Sequence, residues 1–242
     1  MLTYSLKFLW APFVDRSPTK IFKRFGHRRS WIITMQVLII ISLIALSFID
    51  PLIDLVIFAI FAFSVALAGS IQDIAIDAYR IESAKLEDQG NLAAGYQFGY
   101  RIAILVGSSF ALIFADNFSW SSAYQLMAFI MAINLVVSIY ISEENPNPDL
   151  IKLNYRESLI DPIKDFFMRF GIKMASILLL IVSTYRLTDI VMGPMANPFY
   201  IDMGYTLSEI GYVVKVVALI ATIVGVFLGG ILIKKIGLYK SL

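Results

Sequence analysis

The sequence predicts an all-α polytopic membrane protein, and three observations carry that reading. The chain is 59% hydrophobic and only 16% charged, where a soluble domain carries roughly 25% charged residues; its mean hydropathy is +0.77. Several apolar runs approach or exceed the roughly 20 residues that cross the hydrocarbon core. The loops between those runs alternate between Lys/Arg-rich segments and segments almost free of Lys and Arg, the pattern of the positive-inside rule.

Met1–Phe13 is about half a span, carries Lys7 and ends at Pro12. The loop that follows holds Arg16, Lys20, Lys23, Arg24, Arg28 and Arg29 against the single acid Asp15, which assigns it to the cytoplasm. Trp31–Ile49 is the first full span and turns back at Asp50-Pro51. Leu52–Tyr79 follows and carries Gln72, Asp73 and Asp77 in or at the edge of an apolar run. Gly69, Asp73 and Asp77 recur every four residues, so a helix puts them on one face. Arg80, three residues beyond Asp77, is within pairing reach.

After the charged loop 80–91, Leu92–Ala115 crosses again and contains Arg101 among Gly95, Gly99, Gly107, Ser108 and Ser109. Ala123–Ile141 returns. Segment 142–173 is polar, broken by Pro146 and Pro148, and ends in an amphipathic stretch with Arg156, Lys164 and Arg169. Met174–Met192 is a span interrupted by Arg186 and Asp189. Gly193, Pro194, Asn197 and Pro198 then open an outer loop that runs to Ser208. Ile210–Ile233, with Lys215 near its outer end, closes the count at six full spans and one half-span.

Ionisable groups inside spans are costly and face protein or water rather than lipid. At about 1.5 Å per residue, Asp73 sits roughly 10 Å above Arg80, and Arg101 roughly 13 Å above Leu92. A shared network between these neighbouring spans is therefore physically reasonable. Arg186, Asp189 and Lys215 form a second candidate cluster nearer the outer side. Such groups pin helices together, bind a polar solute or relay protons. For Asp77 and Arg80 a place at the headgroup level serves equally well. With no cysteine and the single His27, thiolate chemistry is excluded and no histidine-rich metal site forms. No phosphate-cradling glycine loop or nucleophile–base motif is present. Neither metal nor cofactor is expected, and a net charge of +2 gives no reason to expect nucleic acid.

Asp15-Arg16 followed by Gly26-His27-Arg28-Arg29 resembles the loop signature of the major facilitator superfamily, with Ala11 in place of its usual glycine and SPTKIFKRF as an insertion. The insertion, together with KFLWAPFVDR, FGHRRSW, SIQDIAIDAYR, GYRIAILVG, YRLTD and GYTLSEIG through ATIVGVFLGGIL, is similar to the muropeptide-permease (AmpG) branch. The resemblance implies a partial major facilitator fold. The half-span is then the family's second span and the full spans its third to eighth. Residues 1–141 become an incomplete N-terminal bundle, 142–173 a cytoplasmic linker, and 174–242 the start of the C-terminal bundle. It further implies a bacterial inner-membrane importer of anhydro-muropeptides for peptidoglycan recycling, proton-coupled and working by alternating access. Loops 15–30, 80–91, 142–173 and the C-terminal tail would be cytoplasmic. Asp15, Arg16, Gly26, Arg28 and Arg29 would form the gating loop. Gln72, Asp73, Asp77, Arg101, Arg186, Asp189 and Lys215 are the cavity or coupling candidates, chosen mainly by depth. The partners implied are a muropeptide-like solute, protons, membrane lipids and a separately encoded remainder of the transporter. Transport of another polar solute, and a non-transporting remnant of a decayed or split gene, are the competing readings.

Overall fold

The computed structural model describes residues 2–16, 19, 21–83, 89–141, 155–217, 220, 221 and 224. Among them the regular elements are all helical. A short turn α1 (Leu2–Ser5) leads into α2 (Lys7–Arg16), followed by α3 (His27–Phe48) and α4 (Leu55–Glu82). α5 (Gln89–Ile104) passes through a π-helical turn, Leu105–Phe110, into α6 (Ala111–Asn117). α7 (Trp120–Tyr140), α8 (Tyr155–Asp202) and the short α9 (Leu207–Glu209) follow, the last running into a π-helical segment, Ile210–Val217. Five of the described helical stretches are long and apolar enough to cross a membrane: His27–Phe48, Leu55–Glu82, Gly95–Asn117, Trp120–Tyr140 and Ile163–Tyr185. Most of the sixth expected span, beyond Val217, lies outside the described residues, as does 142–154 of the expected linker.

The helix ends follow local chemistry. Gly26 has φ 108°, a backbone state that L side chains resist. It lets α3 begin at His27, four residues ahead of the expected start. The Thr19 N–H donates to Ser30 Oγ at 2.9 Å, and the Thr19 hydroxyl donates to Ser30 O at 3.0 Å, which holds the loop on this first turn. Asp50 organises the α3–α4 turn by accepting from Leu52 N at 2.9 Å. Ser119 caps α7, its hydroxyl accepting from Ser122 N at 3.1 Å.

The stretch around Gly107-Ser108-Ser109 forms a π turn within its span. One expectation is corrected. The outer loop expected to open at Gly193-Pro194 does not: helix α8 continues to Asp202. A proline costs a helix one donor and a kink, which membrane helices tolerate. The true stop is Gly204 at φ 89°. There Tyr205 N donates to Tyr200 O at 3.1 Å and Gly204 N to Ile201 O at 2.9 Å, the paired bonds of a glycine-terminated helix end. Within α8, Gly171 (φ 71°, ψ 156°) breaks the helical backbone inside the apolar stretch Ile163–Tyr185.

By contact the chain forms two compact units, Met1–Gly95 with Tyr124–Met195, and Tyr96–Ala123 with Ala196–Leu242. The first is centred on α3. Val14, Ile32 and Ala75 form one buried cluster, and Met35, Ile39 and Ala68 another. Ala68, Ser70 and Ala75 are the buried positions of α4, and Ser30 and Ser42 are fully buried on α3. Small residues such as these let two membrane helices approach closely, which is where their packing energy comes from. Much of the outer surface of α4 and α7 consists of exposed Ile, Val, Leu and Phe, as lipid-facing helices require. In the second unit Gly211 makes the tight contact. A β-carbon there would lie 2.9 Å from Ile113 Cγ1 and 3.0 Å from the Ser109 carbonyl oxygen.

Candidate functional site

The first unit carries charged groups at two levels. At one end, Gly26 delivers Arg28 into the seam between the end of α2 and the end of α4. The Arg28 side chain is only 4% exposed. Its Nη1 donates to Asp15 Oδ1 at 2.6 Å and to Val14 O at 3.3 Å. Its Nε and Nη2 fork onto Glu82, at 3.1 Å to each oxygen and 2.6 Å to Oε1 respectively. A buried guanidinium is tolerable only with opposite charge and filled hydrogen bonds, and here two carboxylates and a carbonyl supply both. Val14 O is one of the last carbonyls of α2, which have no partner inside the helix. It also accepts from His27 Nε2 at 2.8 Å.

Arg29 points the other way. Its Nε donates to Ser138 O at 3.2 Å and its Nη2 to Ile139 O at 2.5 Å. It thereby satisfies the free carbonyls ending α7 and places a cation at the negative end of that helix. Gln36 Nε2 to Ser138 Oγ at 3.0 Å supports the same contact. Asp15, Arg28 and Arg29, with Gly26 as the turn, thus draw four helix ends together. Glu82, which the sequence reading left in a charged loop, completes the cluster. The side chain of Arg16 lies outside the described residues.

The second level lies further along the seam. Lys7 on α2 forms an ion pair with Asp73 on α4. Lys7 also lies over the Tyr4 ring, 5.1 Å from its centroid. The Tyr4 hydroxyl stands 3.0 Å from where a Gly69 β-carbon would be. The partners Tyr4–Gly69, Lys7–Asp73 and Asp15–Glu82 (the last through Arg28) keep a nearly constant offset in the chain. α2 and α4 therefore run parallel and in register. At about 1.5 Å per residue, Lys7 lies roughly 12 Å along α2 from Asp15, and Asp73 roughly 13 Å along α4 from Glu82. In the sequence Lys7 is a lone cation in an apolar half-span, and that isolation is the signal for an ion pair.

Of the other candidates, Gln72 and Asp77 are half-buried on α4, and Gln72 Oε1 is buried with no hydrogen-bond partner among the described residues. Arg101 is exposed on α5, in the second unit. Arg186, Asp189 and Lys215 lie on helical backbone, but their side chains are outside the described residues. The second unit also has a hollow of about 400 Å³ lined by Tyr200, Met203, Tyr205, Glu209, Ile210 and Val213. There the Thr206 N–H donates to the Glu209 carboxylate at 2.8 Å, and Glu209 N donates to Thr206 Oγ1 at 3.2 Å, a reciprocal helix cap. The Thr206 backbone N–H, with its hydroxyl, holds the Glu209 carboxyl below the ordinary carboxylate range.

Five apolar helical stretches of spanning length among the described residues define a multi-pass α-helical membrane protein. The family model of the Major Facilitator Superfamily matches residues 3–242, and the chain belongs to that family of transporters. It is 36% identical, over its whole length, to 59% of the Rickettsia felis protein called "Putative transporter AmpG 4". It is 32% identical, over 99% of its length, to 48% of the "Anhydromuropeptide permease" of Escherichia coli K12. It is 34% identical, over 98% of its length, to 58% of "Putative transporter AmpG 3" of Rickettsia typhi. The chain therefore spans about half to three-fifths of the length of the curated relatives it matches.

Proposed function

We propose that these helices are part of a bacterial inner-membrane transporter that imports anhydro-muropeptides by proton-coupled alternating access. Alternating access works between two comparable halves, so the activity is proposed for this chain together with a second helical bundle. The carrying observation is the buried Arg28 joined to Asp15 and Glu82, which ties the ends of α2, α3 and α4 at one face of the unit. A cluster of this kind holds one conformation and must open when the helices rock. The solute is inferred from the Escherichia coli relative called an anhydromuropeptide permease. The domain division at 142–173, the cytoplasmic placement of the basic loops, and the cavity roles of Gln72, Asp73, Asp77, Arg101, Arg186, Asp189 and Lys215 belong to the same proposal.

Uptake of labelled anhydro-muropeptide into vesicles holding the inserted chain and a complementing C-terminal half tests the reading. Accumulation above empty vesicles, dependent on a pH gradient, is expected. No accumulation by correctly inserted protein removes the transport claim. Competition by nucleotide-sugars or peptides but not by muropeptides would reassign the solute. Orientation is separately measurable. The sequence has no cysteine, so a single cysteine at Lys23 should react with an impermeant thiol reagent only from the cytoplasmic side.

A further inference from the structure

We propose that Lys7 is a carboxylate-binding subsite that Asp73 keeps closed in the structure described above. This deepens the proposed function, and rests on it only for the identity of the solute. The argument begins with the contrast between the two charged levels of the α2–α4 seam. Arg28 is sealed at 4% exposure and forks onto Glu82 while also meeting Asp15. Lys7 and Asp73 are 31% and 32% exposed, and Lys7 presents a compact point charge rather than a fork. In this conformation the Arg28 cluster has no face open to a further ligand. The Lys7 pair is open to a second ligand.

Three features fit exchange at Lys7. A cation and an anion roughly 12 Å along the seam from the Arg28 cluster, between apolar helices, are not left facing lipid, so their exposed third faces a polar space. The partner Lys7 already holds is a carboxylate, so the group that replaces it is an anion, and a carboxylate-bearing solute is the one whose pairing this site already displays. When Asp73 lets go, Lys7 is not stranded, because the Tyr4 ring lies 5.1 Å beneath its ammonium and attracts a cation in its own right. Gly69 leaves the room that Tyr4 occupies, with 3.0 Å between the tyrosine hydroxyl and the position a β-carbon would take.

A closed pair lowers the apparent affinity for a competing anion by the fraction of time it is open. A pair closed about nine-tenths of the time weakens binding about tenfold. Removing the Asp73 charge should therefore tighten anion binding, whereas a merely structural salt bridge predicts the opposite. The test is titration of the chain in nanodiscs with lactate, followed by ligand-observed NMR. N-acetylmuramic acid, which carries the same lactyl carboxylate on an amino sugar, is the second probe. Asp73→Asn should bind lactate about tenfold more tightly than the wild type. Lys7→Met in that background should abolish the binding, and Lys7→Arg should restore it. Asp73→Ser gives a second reading should the asparagine variant fold poorly, and Lys7→Met alone should weaken binding by the wild-type chain. An Asp73→Asn variant that binds lactate no more tightly than wild type, binding that survives Lys7→Met, or no lactate binding by any variant would each overturn the proposal. If lactate behaves as described but N-acetylmuramic acid binds no better than lactate, the subsite stands and the muropeptide reading falls.

Discussion

Glu82 and Asp15 both face Arg28, yet they should not be equivalent, and the difference is measurable. Glu82 takes three of the guanidinium contacts, two at 3.1 Å and one at 2.6 Å, and its side chain is 28% exposed. Asp15 takes a single contact at 2.6 Å and is 44% exposed. Breaking a fully buried pair costs about 3–5 kcal/mol because the abandoned charge stays desolvated, while exposed pairs are worth about 0.2–1 kcal/mol. Glu82→Gln leaves Arg28 buried with only the single Asp15 contact as counter-charge among the described residues, and partial exposure places its cost at about 2–3 kcal/mol. Asp15→Asn leaves the fork intact and should cost about 1 kcal/mol or less. Reversible urea-induced unfolding of the chain in mild detergent micelles, followed by tryptophan fluorescence, supplies both values. A double-mutant cycle with Arg28→Met should return a coupling to Glu82 at least twice that to Asp15. Arg28→Lys should behave more like the loss of Glu82 than like wild type, because an ammonium cannot fork. Equal costs for the two acids, or a larger one for Asp15, would refute the assignment of Glu82 as the main counter-charge.

Two further predictions concern packing and pH. Gly211→Ala should destabilise the second unit by about 1–3 kcal/mol through overpacking, because the added carbon meets Ile113 at 2.9 Å and the backbone oxygen of Ser109 at 3.0 Å. Gly69→Ala meets only the far end of Tyr4 and should cost less than about 1 kcal/mol. Thermal denaturation of the two variants side by side decides the order. The cap on α9 should loosen in acid. The Glu209 carboxyl is held below its ordinary range by the Thr206 N–H. Its contribution is thus fully present above the unfolded value of about 4.3 and is lost as pH falls through the folded one. Amide exchange at residues 206 and 209, corrected for intrinsic rate, should accelerate below about pH 4, and this acceleration should be lost in Glu209→Gln.

Much of this protein is legible without its fold. Apolar runs of spanning length are local facts, and bilayer thickness turns them into helices. Gly26 before His27-Arg28-Arg29 marks a turn that releases a helix, and the structure starts α3 there. The Thr206-to-Glu209 cap and the Gly204 stop are likewise written in short local patterns, though the prolines of α8 drew the expected boundary too early. A proline weakens a helix locally, but a left-handed glycine with two reversed hydrogen bonds is what ends it.

Which charges meet is another kind of question. Each residue turns a helix by about 100°, so a partner on another helix depends on packing register rather than on spacing in the chain. Depth arithmetic placed Asp73 level with Arg101. The close approach of α2 to α4, which Gly69 and Ala75 permit, put Lys7 against Asp73. The same seam selected Glu82 for Arg28, across 54 residues of sequence. The sequence by itself determined the membrane class and the family loop. Only the tertiary structure decided the counter-charges of Arg28 and Lys7, because they are set by how small residues let helices settle against one another.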